Sequence, residues 1–151
     1  GYFIEDGFEQ KNRFYHNLGL VTKKMTATVA TIPTDHDTVS TFWITNPNNE
    51  FVNNAAAGSD HAGFWFALPD IPLDFGAVAP HNKLRPSQTN ILLFKDNVGH
   101  SARFSNLAID GQPKGTTPNR LSLVGGHYHP LKNPVDPKSG KAMAVISGFT
   151  S

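Results

Sequence analysis

The hydrophobic positions of this chain come in runs of three to five residues, too short for amphipathic helices and spaced by asparagine and glycine. Three of these runs share one frame: FYHNLG (14–19), FVNNAA (51–56) and FKDNVG (94–99). Each sets an asparagine three residues after Phe, at Asn17, Asn54 and Asn97, and follows it with an apolar residue and then Gly or Ala. Nine residues beyond Asn54 stands Gly63, opening GFWFAL, and nine beyond Asn97 stands Asn106, opening NLAIDG. The opening YFI matches the Phe64-Trp65-Phe66 and Leu107-Ala108-Ile109 runs, and Phe42 lies 22 residues before Phe64. Short strands repeating at about 20 to 25 residues fit one coil of a parallel β-helix. The pattern predicts an all-β fold, a right-handed parallel β-helix solenoid with long loop insertions.

The asparagines are expected at the corners of the coils. Their side chains tolerate the left-handed backbone a sharp turn needs, and they can bond their own backbone or the asparagine one coil away. The small residues 55–58 are expected to let coils stack closely. Three Pro-rich or polar stretches, 31–39, 69–89 and 111–119, read as loops thrown out from the stack. Toward the end, LSLVGG and AMAVISGF read as strands around HYHPLKNPVDPKSGK.

Composition narrows this picture without redirecting it. A chain of 151 residues is one domain's worth, and 11 Phe, 13 Gly and 11 Pro against 17% charged residues suit strands and turns. The formal charge of +1 supplies no field for nucleic acid or an acidic membrane, and no apolar run is long enough to span a bilayer. There is no cysteine, so disulfides and thiolate metal sites are excluded. The start at Gly1, directly before a strand, reads as a segment of something longer.

Residues 3–23 (FIEDGFEQKNRFYHNLGLVTK), 40–66 (STFWITNPNNEFVNNAAAGSDHAGFWF) and, more loosely, 93–111 carry a resemblance to a known family. The chain resembles the cell migration-inducing and hyaluronan-binding proteins, their transmembrane cell-surface hyaluronidase relatives and the fibrocystin-like proteins. The resemblance implies an extracellular or cell-surface location and a section of parallel β-helix. It also implies one of two roles. The first is a module that binds a hyaluronan-like polysaccharide or serves in assembly through the β-helix ends; the second is a section of a hyaluronidase-like enzyme. A structural filament component is a third reading, since open β-helix ends expose strand edges. The family's eight-glycine domain is missing from this segment, and so are the cysteines that flank the FWI motif in animal hyaluronidases.

Candidate chemistry follows from residue type and position. Glycoside hydrolysis generally takes two carboxylates. Glu5 and Asp6 lie at a strand end in the family-like EDG, with Asp110 at the corresponding place after Leu107-Ala108-Ile109. His16 and His100 match family positions and could serve as bases or bind a sugar carboxylate. These four, Glu5, Asp6, His16 and His100, are the catalytic candidates, each weighed against a turn-forming role. Asp35 and Asp37 offer oxygen ligands suited to calcium, while His127 and His129 would share one side of a strand, as half of a zinc or copper site. Trp43 and Trp65 alternate with Phe42, Phe64 and Phe66, so one set faces outward. An outward tryptophan pair, with His61 beside it, is either a strip for a sugar ring or a surface covered by a loop or another subunit.

Overall fold

The structure is a computed structural model that describes residues 1–26, 38–109, 112–117, 120–124 and 127–151. Ten short strands among the described residues form three parallel sheets through which the chain passes in rotation. Coil 1 contributes β1 (Tyr2–Ile4), β2 (Arg13–Tyr15) and β3 (Leu18–Thr22). Coil 2 contributes β4 (Ser40–Ile44), β5 (Glu50–Val52) and β6 (Ala55–Ser59). Coil 3 contributes β7 (Ala62–Phe66), β8 (Leu93–Lys95) and β9 (Val98–His100), and β10 (Ser105–Ala108) begins a fourth. Sheet A is ordered β1-β4-β7-β10, sheet B β2-β5-β8 and sheet C β3-β6-β9. The 22-residue step is real: Phe42 pairs with Phe64, and Tyr2 pairs with Phe42.

Between sheets A and B the interior is aromatic. Tyr2, Phe42 and Phe64 stack in a column with ring centroids 4.5 Å apart at each step, close to the 4.7–4.9 Å between neighbouring strands, so parallel register alone brings the rings face to face. Phe14 lies on Phe51 at 4.8 Å with the planes 3° apart, and Phe94 follows at 6.2 Å. Between sheets A and C there is almost no side chain. The inward positions of sheet C are Gly19, Ala56 and Gly99, and a Cβ on Gly19 would sit 2.1 Å from Thr41 Cγ2. Of the small residues 55–58, Ala56 serves the approach of sheet C to sheet A across the interior, Ala55 and Ala57 are on the outer face of sheet C, and a Cβ on Gly58, at φ 77°, would meet the Val21 backbone one coil away.

The corner between sheets B and C holds the asparagine column. Oδ1 of Asn54 accepts from Asn17 N–H (3.0 Å) and Nδ2 (2.9 Å), and Oδ1 of Asn97 accepts from the same two groups of Asn54 (both 2.9 Å). An amide suits this place because it donates and accepts at once, where a carboxylate could only accept. The left-handed residue of each turn is the one before the asparagine: His16, Asn53 and Asp96 have φ of 57°, 53° and 54°. The corner between A and B repeats the device with Asn12 and Asn49, and Asn46 donates to the Gly7 carbonyl at 2.7 Å. The asparagines of NPNN are spent on that corner.

The predicted loops meet different fates. The stretch 69–89 lies within the long A–B corner of coil 3, between β7 and β8, and carries three 3-10 turns, Asp74–Ala77, His81–Lys83 and Pro86–Gln88. Residues 31–37 of the first predicted loop fall outside the described residues. The third is not a plain loop: Gln112–Thr117 (β11) pairs antiparallel with Arg120–Val124 (β12), which includes most of LSLVGG. AMAVISGF forms no strand. It runs irregularly beneath coil 3 with isolated bridges from Ser147 to Lys95 and from Thr150 to Val98, and Gly148, at φ 62°, continues the left-handed turn column. Phe149 takes the place of the next corner asparagine, its ring 6.1 Å from Phe64 and 6.0 Å from Phe94.

Candidate functional site

The catalytic candidates are distributed over three parts of the stack. Glu5 and Asp6 lie at the A–B corner of coil 1, where the Glu9 carboxylate accepts from the main-chain N–H groups of Glu5, Asp6 and Gly7. Glu5 is exposed, whereas Asp6 is buried and its carboxylate accepts from Gly76 N–H at 3.2 Å, fastening the long insertion to coil 1. His16 is the left-handed residue of the B–C corner in coil 1. His100 is on the outer face of sheet C in coil 3, below Ala57 and Leu20, with Nδ1 3.2 Å from Ser101 Oγ. The topology joins the two carboxylates at one corner and leaves the two histidines apart. Asp110, Asp35 and Asp37 lie outside the described residues. His127 and His129 are in an irregular segment and not a strand; the His129 ring nitrogen meets the His127 carbonyl, and among the described residues no group of three metal-type side chains is gathered.

The tryptophans are on the outer face of sheet A, paired with each other and flanked by Phe3 and Ala108. They do not form an open strip. Trp43 is 4% and Trp65 1% exposed, and their planes cross at 78°. His61 links Trp65 to the surface: its ring lies 4.8 Å from Trp65 and 4.6 Å from Phe104, nearly parallel to the latter at 12°. Phe104, 61% exposed, therefore has one face backed by an imidazole and the other toward solvent.

Phe104 belongs to the corner between sheets C and A, where three coils align their side chains. Asp60 N–H donates to the Thr22 carbonyl and Arg103 N–H to the Ser59 carbonyl, both at 2.9 Å, and Phe104 N–H donates to the His61 carbonyl at 2.8 Å. Lys23 and Lys24 of coil 1, Asp60 and His61 of coil 2, and Arg103 and Phe104 of coil 3 thus follow one another down one edge. Asp60 is held below the usual carboxylate range, first by the Lys24 main-chain N–H and then by Lys23 Nζ, 3.1 Å away. Lys23 and Asp60 offset each other, which leaves Lys24 and Arg103 as exposed cations beside an aromatic pair. Sequence reasoning found His61 and missed Phe104, Arg103 and Lys24. The spacing held the signal: the interval from Asn54 to Asn97 also carries Asp60 to Arg103 and His61 to Phe104, and that from Asn17 to Asn54 carries Lys23 to Asp60.

The family model described as CEMIP beta-helix matches residues 1–107. The chain belongs to the CEMIP beta-helix family. The cell migration-inducing and hyaluronan-binding protein of Mus musculus is 31% identical over 99% of the chain, and the cell surface hyaluronidase CEMIP2 of Homo sapiens is 38% identical over 76%. Fibrocystin-L of Mus musculus is 42% identical over 47% of the chain. The chain spans 13%, 10% and 2% of those three relatives. The likeness to the first extends past Arg120, beyond residues 3–23, 40–66 and 93–111.

Proposed function

We propose that this chain is a right-handed solenoid module of an extracellular or cell-surface protein, and that its C–A edge binds an acidic, hyaluronan-like polysaccharide. The observation that carries the reading is the exposed Phe104 ring on His61, with Lys24 and Arg103 on the same edge. A sugar's apolar face stacks on an aromatic ring, and a uronate carboxylate pairs with a nearby guanidinium or ammonium. The printed names of two relatives, one hyaluronan-binding and one a hyaluronidase, support the polymer class. The separation of Glu5 and Asp6 from His16 and His100 favours binding over cleavage. Glu5, Asp6, His16 and His100 remain the candidates for any cleavage, which would draw on a cleft shared with other parts of a longer protein. Titrating the chain with hyaluronan oligosaccharides by calorimetry tests the proposal. Phe104→Ala and Arg103→Ala are expected each to weaken binding about tenfold, with Met143→Ala, 80% exposed and remote in sequence, as an unchanged control. Binding that ignores Phe104 and Arg103 would remove the edge as the site.

A further inference from the structure

An interior corner asparagine works in both directions along the stack. Oδ1 of Asn54 accepts two bonds from Asn17 of coil 1, while its Nδ2 donates to the Phe14 carbonyl of coil 1 (2.7 Å) and to Asn97 Oδ1 of coil 3 (2.9 Å). Asn97 likewise donates back to the Phe51 carbonyl at 2.8 Å. Asn17 has only the half of this set that faces coil 2. Among the described residues no donor reaches its Oδ1 and no carbonyl on the side away from coil 2 takes its Nδ2. Asn12 is in the same state at the A–B corner: it donates to Asn49 Oδ1 from N–H (2.8 Å) and Nδ2 (3.1 Å), and nothing among the described residues donates to it. Around these two open acceptors, β1, β2 and β3 are the outermost strands of their sheets. The rings at this level are also less covered, since Tyr2 and Phe14 are half-buried where Phe42 and Phe51 are 0% and 1% exposed.

We propose that this edge of coil 1 docks one further parallel β-helix coil running in the same sense, whose corner amides donate to Asn12 and Asn17 and whose interior rings cover Tyr2 and Phe14. The chemistry selects that partner. Each open Oδ1 requires a main-chain N–H and a side-chain NH2 together, which is what a corner asparagine on the opposite edge of such a coil presents. A second copy of this chain does not present it. Its edge beneath β8 and β9 is occupied by residues 147–150, with Phe149 in the asparagine place, and a head-to-head pair would set acceptor against acceptor.

The register supplies the test, and it is independent of polysaccharide binding. Because Tyr2 pairs with Phe42 as Phe42 pairs with Phe64, a copy of residues 40–62 placed directly before Gly1 would set its own Asn49 and Asn54 over Asn12 and Asn17. The extended chain is expected to melt higher and to show a steeper urea dependence than the chain itself, since more surface is buried on folding. Asn17→Ala is expected to shift the folding equilibrium about tenfold further in the extended chain than in the original, because only there does Oδ1 accept. An added segment that stays open to protease with melting unchanged would overturn the proposal, as would an equal cost of Asn17→Ala in both chains. Concentration-dependent growth of the unextended chain in sedimentation would assign the edge to a second copy and overturn it too.

Discussion

The two halves of each coil are built on the same rise and could hardly be filled more differently. Between sheets A and B, Phe42 meets Phe51 edge-on at 6.2 Å and Phe64 meets Phe94 at 5.3 Å. Between sheets A and C, a Cβ on Gly99 would lie 2.9 Å from the Asn106 carbonyl oxygen. Side-chain volume, and not strand propensity, sets the width of the cross-section. Ala55-Ala56-Ala57 is a poor strand former by composition, yet it is a strand, and its inward member Ala56 pairs with Gly19 and Gly99, where small residues let two backbones approach. The difference also positions the site. The wide half opens into a corner that carries a 26-residue excursion, 67–92, between β7 and β8, whereas the thin half closes at the C–A corner through 60–61 in coil 2 and 101–104 in coil 3. The first residues of each connection out of sheet C stay bonded to the coil above, which is what brings Lys23, Asp60 and Arg103 into line.

Substitutions on the two sides should fail in different ways. In the wide half, Phe51→Ala removes a ring in contact with Phe14, Phe42, Phe66 and Phe94, and is expected to cost about 4 kcal/mol in urea unfolding. At the hinge between the halves, Asn54→Ala takes the acceptor from Asn17 N–H and Nδ2 and the side-chain donor from the Phe14 carbonyl and Asn97 Oδ1, which keeps the main-chain N–H of residue 54. The expected cost is about 3 kcal/mol. In the thin half the sign of the volume change reverses: Gly99→Ala adds one methyl of sheet C against the Asn106 carbonyl oxygen of sheet A and is expected to cost about 2 kcal/mol, where the same addition on an outward position of sheet C would be neutral. If Gly99→Ala were harmless, the thin half would be looser than described and the two halves would not differ in this way.

The smallest effect concerns the edge itself. The folded pKa of Asp60 is depressed, so whatever its ion pair contributes is present above the unfolded value of about 3.9 and is lost as pH falls through the folded value. Following the Asp60 carboxyl by NMR titration, Lys23→Ala is expected to raise its midpoint toward the ordinary range without restoring it, because the Lys24 main-chain N–H still donates. A midpoint unmoved by Lys23→Ala would show that the ion pair is absent in solution.

The sequence showed the stack more fully than it showed the site. The frame through Phe14, Phe51 and Phe94 located every B–C corner, because an asparagine amide that bonds its equivalent one coil away must recur at the coil spacing. The second column at Asn12 and Asn49 escaped notice, since the long insertion 67–92 stands where coil 3 would repeat it. The hairpin of β11 and β12 escaped for a different reason: β11 contains Pro113 and Gly115, which read as loop formers and are tolerated in a two-stranded ribbon. Strand period sets the tryptophans and the phenylalanines on opposite faces, but it says neither which set faces outward nor what lies over an outer face. Phe104 and Arg103 sit in a corner, where no alternation applies, and only the offset between coils points to them.

The stacking register underlies the fold, the edge and the docking proposal alike, and the chain's lack of cysteine makes it directly measurable. On the outer face of sheet C, Leu18 pairs with Ala55 while Ala57 is paired with Leu20, and neighbouring strands place partner Cα atoms within disulfide reach. Introduced as a pair, Leu18→Cys with Ala55→Cys should form an intramolecular disulfide under mild oxidation, and Leu18→Cys with Ala57→Cys should remain largely reduced. Equal yields from the two pairs, or preference for the second, would contradict the register on which the corner columns and the proposed polysaccharide edge depend.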